Sequence, residues 1–296
     1  AGEVVQQVLA RLGEKFNADA AAEVGAFAQR FFARVAPDDI LSRDVDNLYG
    51  AVLSLWKFAE KRRPGGAQLR AFNPKLDQDG WSSPHTVVEV VNDDMPFLVD
   101  TVAMTLTGLG HAVRWLIHPM AITRRDDTGK RLHQGGTAWS ESLMHVEIGA
   151  VTDPAATAAI ETRLIAALED VRAAVVDWRA MLGKLDDAVL SLERRPPPIA
   201  ADEIAEAVAL LRWMAADNFT FLGYREYDYA TGQEAMRIVE GTGLGILRQS
   251  ERRVMIGQDG SLAASDTVMR FLQRHEALIV TKANARSTVH RPVLLD

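Results

Sequence analysis

The chain has 296 residues, of which 48% are hydrophobic and 25% charged, a composition that excludes a wholly disordered chain and predicts two globular domains. Its formal net charge of −7 does not provide the positive surface that nucleic acids and anionic lipids require, so neither is expected as a partner. Because cysteine is absent, disulfides, thiolate catalysis and cysteine-based zinc sites are excluded.

The first 66 residues are predicted to form a helical segment. Apolar side chains recur at helical spacing from Val24 to Val35 and again from Val45 to Ala59, and Pro64-Gly65-Gly66 ends the second helix. Each helix has one apolar face, which must be buried. We therefore expect these helices to pack on each other or on a partner subunit.

Residues 84–195 show alternating strand and helix patterns. The succession of strand, helix, strand, strand and helix is that of a ferredoxin-like βαββα(β) domain of the α+β class, with a last strand that is not evident. The predicted elements are a strand at His85–Val91, a helix from Phe97 to Leu109, strands at Ala112–Arg125 and Ser142–Ile148, a hairpin turn at Asp126–Lys130, and a long helix that begins at Pro154 with Asp153 as its cap.

A proline-rich linker at Arg194–Pro198 precedes a second predicted α+β domain at 199–296. We expect this domain to begin with a helix that Asp202 caps and to be truncated. Its predicted strands are Phe219–Tyr227, Met236–Val239, Arg253–Ile256, Ala277–Thr281 and Thr288–Leu294.

The sequence also indicates where the protein is found. No apolar run approaches the ~20 residues that cross a membrane, and the first residues lack the basic and apolar regions of a signal peptide. These patterns predict a cytoplasmic protein. The chain begins without methionine and stops just after a strand-like run, so we expect it to be a fragment of a longer protein.

Motifs of catalysis and cofactor binding are missing from the sequence. Gly241–Ile246 is the nearest approach to a dinucleotide-binding Gly-x-Gly-x-x-Gly motif, but its sixth position is isoleucine, so a glycine-rich turn is the better interpretation. The seven histidines are scattered, and the pair Asp93-Asp94 favours a helix cap over a cation site. We predict no catalytic, cofactor-binding or metal-binding residue in this chain.

The turn between the first predicted strand and helix is the candidate binding site. A helix N-terminus presents unpaired N–H groups and a partial positive charge, which suit an anion such as the α-carboxylate of an amino acid. The sequence Asp94-Met95-Pro96-Phe97-Leu98 resembles the strand-to-helix turn of ACT regulatory domains, where Asp-x-Pro-Gly-Leu is typical and the glycine lets a ligand approach the backbone. By this resemblance, Asp94, Met95, Pro96 and Phe97 are the expected effector-binding residues.

Further strings, spread in the expected order over most of the chain, resemble the N-terminal part of the large NAD-specific glutamate dehydrogenases of bacteria. They are Val91–Asp100, His118-Pro119, Leu211–Met214, Asn218–Tyr227, Gly243–Arg248, Thr281-Lys282 and Ser287–Pro292.

The resemblance implies a non-catalytic regulatory and assembly segment of an enzyme that converts L-glutamate, NAD and water to 2-oxoglutarate, ammonia and NADH. It implies that NAD binds elsewhere in the parent enzyme, that the remainder of that enzyme is the partner, and that the assembly is a homo-oligomer. The domain at 199–296 is then either PAS-like or ACT-like. Two functions stay open, namely binding of an amino-acid effector at Asp94–Phe97 and a purely architectural oligomerisation role without a ligand.

Overall fold

The computed structural model describes residues 1–228, 237–248, 280–281 and 294–295. The chain divides into two compact units, Ala1–Glu169 and Asp170–Asp296. The first unit is an α+β arrangement in which helices cover an antiparallel sheet. Its elements in order are α1 (Gly2–Lys15), α2 (Ala18–Phe32), α3 (Pro37–Leu41), α4 (Val45–Phe58), β1 (Gln68–Phe72), α5 (Leu76–Asp79), β2 (Thr86–Asp93), α6 (Leu98–Gly108), β3 (Val113–Ile117), β4 (Met120–Arg125), β5 (Arg131–Leu132), β6 (Thr137–Ile148) and the first part of α7 (Pro154–Arg194).

The N-terminal helices form the layer that the apolar stripes predict. Phe27 and Phe31 of α2 and Leu48 of α4 are almost completely buried, and they belong to one apolar cluster with Val87 and Trp115 of the sheet. The helices therefore pack both on each other and on one face of the sheet. This arrangement buries the stripes within the unit itself.

The sheet is antiparallel, in the order β1-β2-β6-β4-β5, and β3 pairs with the C-terminal part of β6. β1 was not predicted from the sequence. It lies beside β2, with Leu69 opposite Val90. The predicted strand at 112–125 is divided into β3 and β4 at His118-Pro119, where the Pro119 carbonyl accepts a hydrogen bond from Leu143 N at 3.0 Å.

The alternation of side chains along β2 separates two layers. Val87 and Val91 belong to the cluster under the N-terminal helices, and Val88 and Val90 therefore point to the opposite face. We infer that α6 and α7 cover that face, because their apolar residues are also fully buried. These residues are Val102 and Leu106 of α6 and Ile160, Leu164 and Leu168 of α7.

Local signals define the ends of several elements, and the predicted turn at Asp126 and the predicted cap at Asp153 are confirmed. Gly110 has φ +87° and ends α6 with hydrogen bonds from His111 N to Leu106 O and from Gly110 N to Thr107 O, as in a Schellman cap. Asp126 turns the β4–β5 hairpin by accepting a bond from Thr128 N at 2.8 Å. Asp153 caps α7 by accepting a bond from Ala155 N at 3.0 Å.

The second unit contains the last part of α7, the helix α8 (Ala201–Trp213), an irregular turn at Met214–Asn218 and short antiparallel strand pairs. The N-cap of α8 is Ala200, so the predicted cap at Asp202 was wrong; Asp202 lies in the first turn instead. The predicted strand at Arg253–Ile256 lies outside the described residues. The strand pairs are β7 (Gly223–Tyr224) with β10 (Leu244–Gly245), β8 (Tyr227–Asp228) with β9 (Arg237–Ile238), and β11 (Val280–Thr281) with β12 (Leu294–Leu295).

In the part of the chain that the structure describes, no helix combines the length and the apolarity needed to cross a membrane.

Candidate functional site

The predicted effector turn joins the end of β2 to the start of α6. Asp94 N donates to Ser140 O at 2.9 Å, and Ser140 Oγ donates to Asp94 Oδ2 at 3.3 Å, so the neighbouring strand β6 holds the turn. Asp94 and Pro96 are exposed, and Met95 is half-buried. All four predicted residues are thus at least partly exposed, and they directly precede α6.

Phe97 has an uncommon backbone conformation. Its φ of +70° and ψ of 2° place it in the left-handed region, where the side chain of an L-residue crowds the backbone and glycine is favoured. Phe97 thus stands at the glycine position of the ACT turn and keeps the conformation that glycine would adopt. Its side chain is 49% exposed, so the ring lies at the surface next to the turn and is not buried in it.

The predicted aspartate cap of α6 was wrong. Phe97 is the N-cap residue and no side chain caps the helix; the first intrahelical bond runs from Thr101 N to Phe97 O at 3.0 Å. Asp93 turns instead toward the segment after α4, where its carboxylate accepts bonds from Arg62 NH2 at 2.6 Å and Gly65 N at 3.0 Å. The Asp93 carboxylate, which local spacing predicted as a cap, is thus bound by Arg62, 31 residues away in the chain.

A buried ionic cluster lies at the end of β2, where Asp93 pairs with Glu141 of β6. Glu141 of β6 is fully buried and accepts bonds from Arg62 NH1 at 2.7 Å and from Arg125 Nε and NH2 at 2.8 Å each. Burial tends to raise the pKa of Glu141, but the Arg125 and Arg62 guanidinium groups outweigh it and lower that pKa. Since Arg62 also binds Asp93, this cluster fixes the strand end from which the turn departs.

A second buried cluster has His145 of β6 at its centre. His145 Nδ1 lies 3.9 Å from Glu89 Oε1, and His145 Nε2 lies 3.6 Å from Glu147 Oε1. Burial tends to lower the pKa of His145, but the two carboxylates outweigh it and raise that pKa. The aromatic rings around it are those of Trp115 at 5.7 Å, Phe31 at 5.9 Å and Trp81 at 6.1 Å between centroids.

Arginines close this second cluster at both ends. Arg43 NH1 donates to Glu147 at 2.8 Å, and Arg70 Nε donates to Glu89 at 2.8 Å. The result is a row of alternating charges that joins β1, β2 and β6 to the loop before α4. Glu89, His145 and Glu147 are buried, so a substrate does not reach them. We infer that this row of charges holds the helical layer on the sheet.

A cavity of about 360 Å³ opens beside the break between β3 and β4. Arg30, Arg34, His118 and Met120 are among its lining residues. His118 Nε2 is hydrogen-bonded to Ser142 Oγ at 2.6 Å. Burial lowers the pKa of His118, an effect that the negative charge of Asp94 opposes and the positive charge of Arg34 strengthens. Met120 pairs with Ser142 of β6, two residues from the Ser140 that binds Asp94, so the cavity lies near the predicted turn, and Arg30 and Arg34 give its lining a positive charge.

Sequence reasoning did not find the two buried clusters, although a signal for them exists. Glu89 interrupts the apolar strand Val87–Val91, and Glu141, His145 and Glu147 occupy alternate positions of β6, so all of them share one face. Charged residues at inward positions of a strand indicate buried partners. Within the described residues, no group of three or more histidine or acidic side chains is arranged to hold a metal ion.

Comparison with known proteins identifies the class first. Residues 27–164, from α2 to the first part of α7, match the family described as glutamate dehydrogenase, ACT1 domain. The helical layer and the sheet therefore include an ACT-type domain.

The whole chain is related to larger enzymes. It is 32% identical to the NAD-specific glutamate dehydrogenase of Halomonas elongata over 99% of this chain and 19% of that protein. It is 31% identical to the enzyme of the same name from Pseudomonas aeruginosa over 98% of this chain and 18% of that protein. It is 30% identical to that from Mycobacterium tuberculosis over 54% of this chain and 10% of that protein. The chain belongs to the NAD-specific glutamate dehydrogenase family, as an N-terminal segment of it. It spans about a fifth of the length of the first two relatives.

Proposed function

We propose that this chain is a non-catalytic regulatory and assembly segment of an NAD-dependent glutamate dehydrogenase, and that an amino-acid effector binds it at Asp94–Phe97. The parent enzyme would convert L-glutamate, NAD and water to 2-oxoglutarate, ammonia and NADH in the cytoplasm, as a homo-oligomer, with NAD bound elsewhere. The observation that carries the proposal is the match of residues 27–164 to the ACT1 domain of glutamate dehydrogenase.

The sheet order supports a ferredoxin-like winding in a permuted form. β2, β6 and β4 lie side by side and antiparallel, and α6 and α7 follow β2 and β6 in the chain. These elements correspond to the first five of the βαββαβ succession. β1 lies antiparallel beside β2, where the last strand of that fold would pair, although it precedes β2 in the sequence. We infer that β1 replaces the last strand that the sequence did not show.

The turn offers a partner for each charge of an amino acid. The exposed Asp94 carboxylate attracts an ammonium group, and the N-terminus of α6 attracts a carboxylate. Arg34, on the neighbouring cavity, adds a second positive group for an anion. The left-handed backbone at Phe97 keeps the chain in the shape that, in ACT turns with glycine, admits a ligand.

Thermal unfolding of the chain with each of the twenty amino acids tests this proposal. A ligand at tenfold excess over its Kd stabilises the folded state by about 1.4 kcal/mol, which is a rise of roughly 3–6 °C for a unit of this size. We expect at least one amino acid to raise the melting temperature, and Asp94→Asn to abolish the rise. Phe97→Gly should preserve or increase it. Asp38→Asn, an exposed aspartate in α3, is the matched control and should leave it unchanged.

The architectural function is the second candidate, and exposed apolar side chains on the sheet favour it. Ile122 of β4 is 80% exposed and Met120, two residues before it in the same strand, is 44% exposed. In this case the chain would self-associate without a ligand, and Ile122→Glu would reduce the association seen by sedimentation. Flat melting curves for all amino acids, together with association that depends on Ile122, would replace the effector proposal with this one.

A further inference from the structure

A second cavity, of about 350 Å³, lies on the helical side of the first unit and shares no residue with the effector turn. Its walls come from the end of α1, one side of α4, β1 and the segment around α5. Its volume is at the lower end of the range of about 300–1,000 Å³ in which small-molecule pockets fall. A ligand here would be a compact metabolite.

The cavity is lined by three cations. Lys15 comes from α1, Lys57 from α4 and Arg70 from β1. Lys15 and Lys57 are exposed, and neither forms an ion pair with any residue in the described part of the chain. Asp79 is the acidic residue of the lining, and its carboxylate accepts a bond from Lys75 N at 2.8 Å. The cavity therefore has a net positive charge in a protein whose overall charge is negative.

Arg70 is held in a fixed position at the cavity wall. Its Nε donates to Glu89 at 2.8 Å and its NH2 donates to Ser54 Oγ at 3.0 Å. The guanidinium lies over the rings of Phe58 at 4.7 Å and Phe72 at 4.3 Å. With 38% of the side chain exposed, Arg70 can pair with a ligand without a change of rotamer, which lowers the entropic cost of binding.

The floor of the cavity is apolar and closely packed. A Cβ atom at Gly50 would overlap the indole of Trp81, so the indole rests directly on the backbone of α4. Trp81 and Leu53 are buried there, and Tyr49 is half-buried beside them. Lys15 lies 6.0 Å from the centre of the Tyr49 ring, whereas Arg70 is bound to Ser54 further along α4. Cations at separate points around an apolar floor suit a ligand with two acidic groups on a carbon chain.

We propose that this cavity binds a small organic dicarboxylate. One carboxylate pairs with Lys15, the other with Arg70, and Lys57 contributes to both, while the carbon chain lies on Tyr49 and Trp81. This site is separate from the turn at Asp94–Phe97, because no residue belongs to both.

Isothermal titration of the whole chain with succinate tests the proposal. Loss of one charged hydrogen bond weakens binding by about tenfold or more. We therefore expect Lys15→Gln and Lys57→Gln each to raise the Kd for succinate at least about tenfold. Lys61→Gln, an exposed lysine just beyond α4, is the matched control and should leave the Kd unchanged. Asp94→Asn should also leave it unchanged, which separates this site from the effector turn.

Inorganic phosphate and the uncharged succinamide complete the experiment. Succinate binding that depends on Lys15 and Lys57, with weaker phosphate binding and none of succinamide, supports the dicarboxylate site. Phosphate that binds more tightly than succinate would overturn the assignment of the ligand class. Absence of succinate binding at millimolar concentration, or binding that both lysine variants retain, would overturn the site itself. Both lysines are exposed, so circular dichroism and melting curves of the variants should match those of the parent chain.

Discussion

Glu141→Gln is the substitution that most directly tests how the effector turn is held in place. The change removes the negative charge that Arg62 and Arg125 share, and it leaves two buried guanidinium groups with only Asp93 as an acidic partner in this cluster. Removal of one partner from a buried ion pair costs about 3–5 kcal/mol. For a unit of 169 residues this corresponds to a fall in melting temperature of roughly 6–20 °C.

The assay is urea and thermal unfolding followed by tryptophan fluorescence. Trp178 and Trp213 lie in the second unit, so their replacement by phenylalanine leaves only tryptophans of the first unit among those in the chain. The control is Asp46→Asn, which breaks the exposed pair with Arg11 and should cost at most about 1 kcal/mol. A Glu141→Gln variant that stays within about 1 kcal/mol of the parent would refute the reasoning.

The pH dependence of this effect has a defined sign. The folded-state pKa of Glu141 is below its ordinary value, so the carboxylate contributes stability above the unfolded value of about 4.3 and loses it as the pH falls through the folded pKa. The difference between the parent chain and Glu141→Gln should therefore be constant at neutral pH and shrink in acid.

Two further predictions concern the core of the first unit. The pKa of His145 is raised in the folded chain, so its charged form contributes stability that is complete below the unfolded value of about 6.5 and is lost as the pH rises through the folded pKa. The melting temperature of the parent chain should therefore exceed that of His145→Gln by less at alkaline pH than at weakly acidic pH. A difference that does not change with pH would contradict this prediction. Gly50→Ala should destabilise the chain by about 1–3 kcal/mol in urea unfolding, because the new methyl group meets Trp81, whereas Gly13→Ala, with open space around it in α1, should be neutral or stabilising; equal effects of the two would show that the contact is not tight.

The periodicity of apolar residues predicted the elements that have one apolar face. It did not predict an element whose formation depends on a partner far away in the chain. The helices α2 and α4 were found because their stripes repeat at helical spacing, whatever they pack against. β1 was missed because the segment Gln68–Phe72 is short and contains Arg70, whose charge is compensated by Glu89 on the neighbouring strand. No local pattern reveals such a pairing.

In the candidate site, too, local features were predicted from the sequence and features that depend on tertiary packing were not. The position of the strand-to-helix turn at Asp94–Phe97 followed from the sequence, because Pro96 after Asp93-Asp94 marks the start of a helix. The left-handed backbone at Phe97 was not foreseen, since phenylalanine has no preference for it and only the surrounding structure imposes it. The His118 cavity was also not foreseen, because Arg34 and His118 meet only once α2 has packed on the sheet.

The central claim, that this segment binds an amino acid at Asp94–Phe97, is tested most directly by a crystal structure of the chain grown with the amino acid that raises its melting temperature most. We predict electron density for that amino acid against the N-terminus of α6, with its ammonium group at Asp94. Clear density for the turn with no ligand beside it at saturating concentration, or density for the ligand at another place in the chain, would contradict the claim.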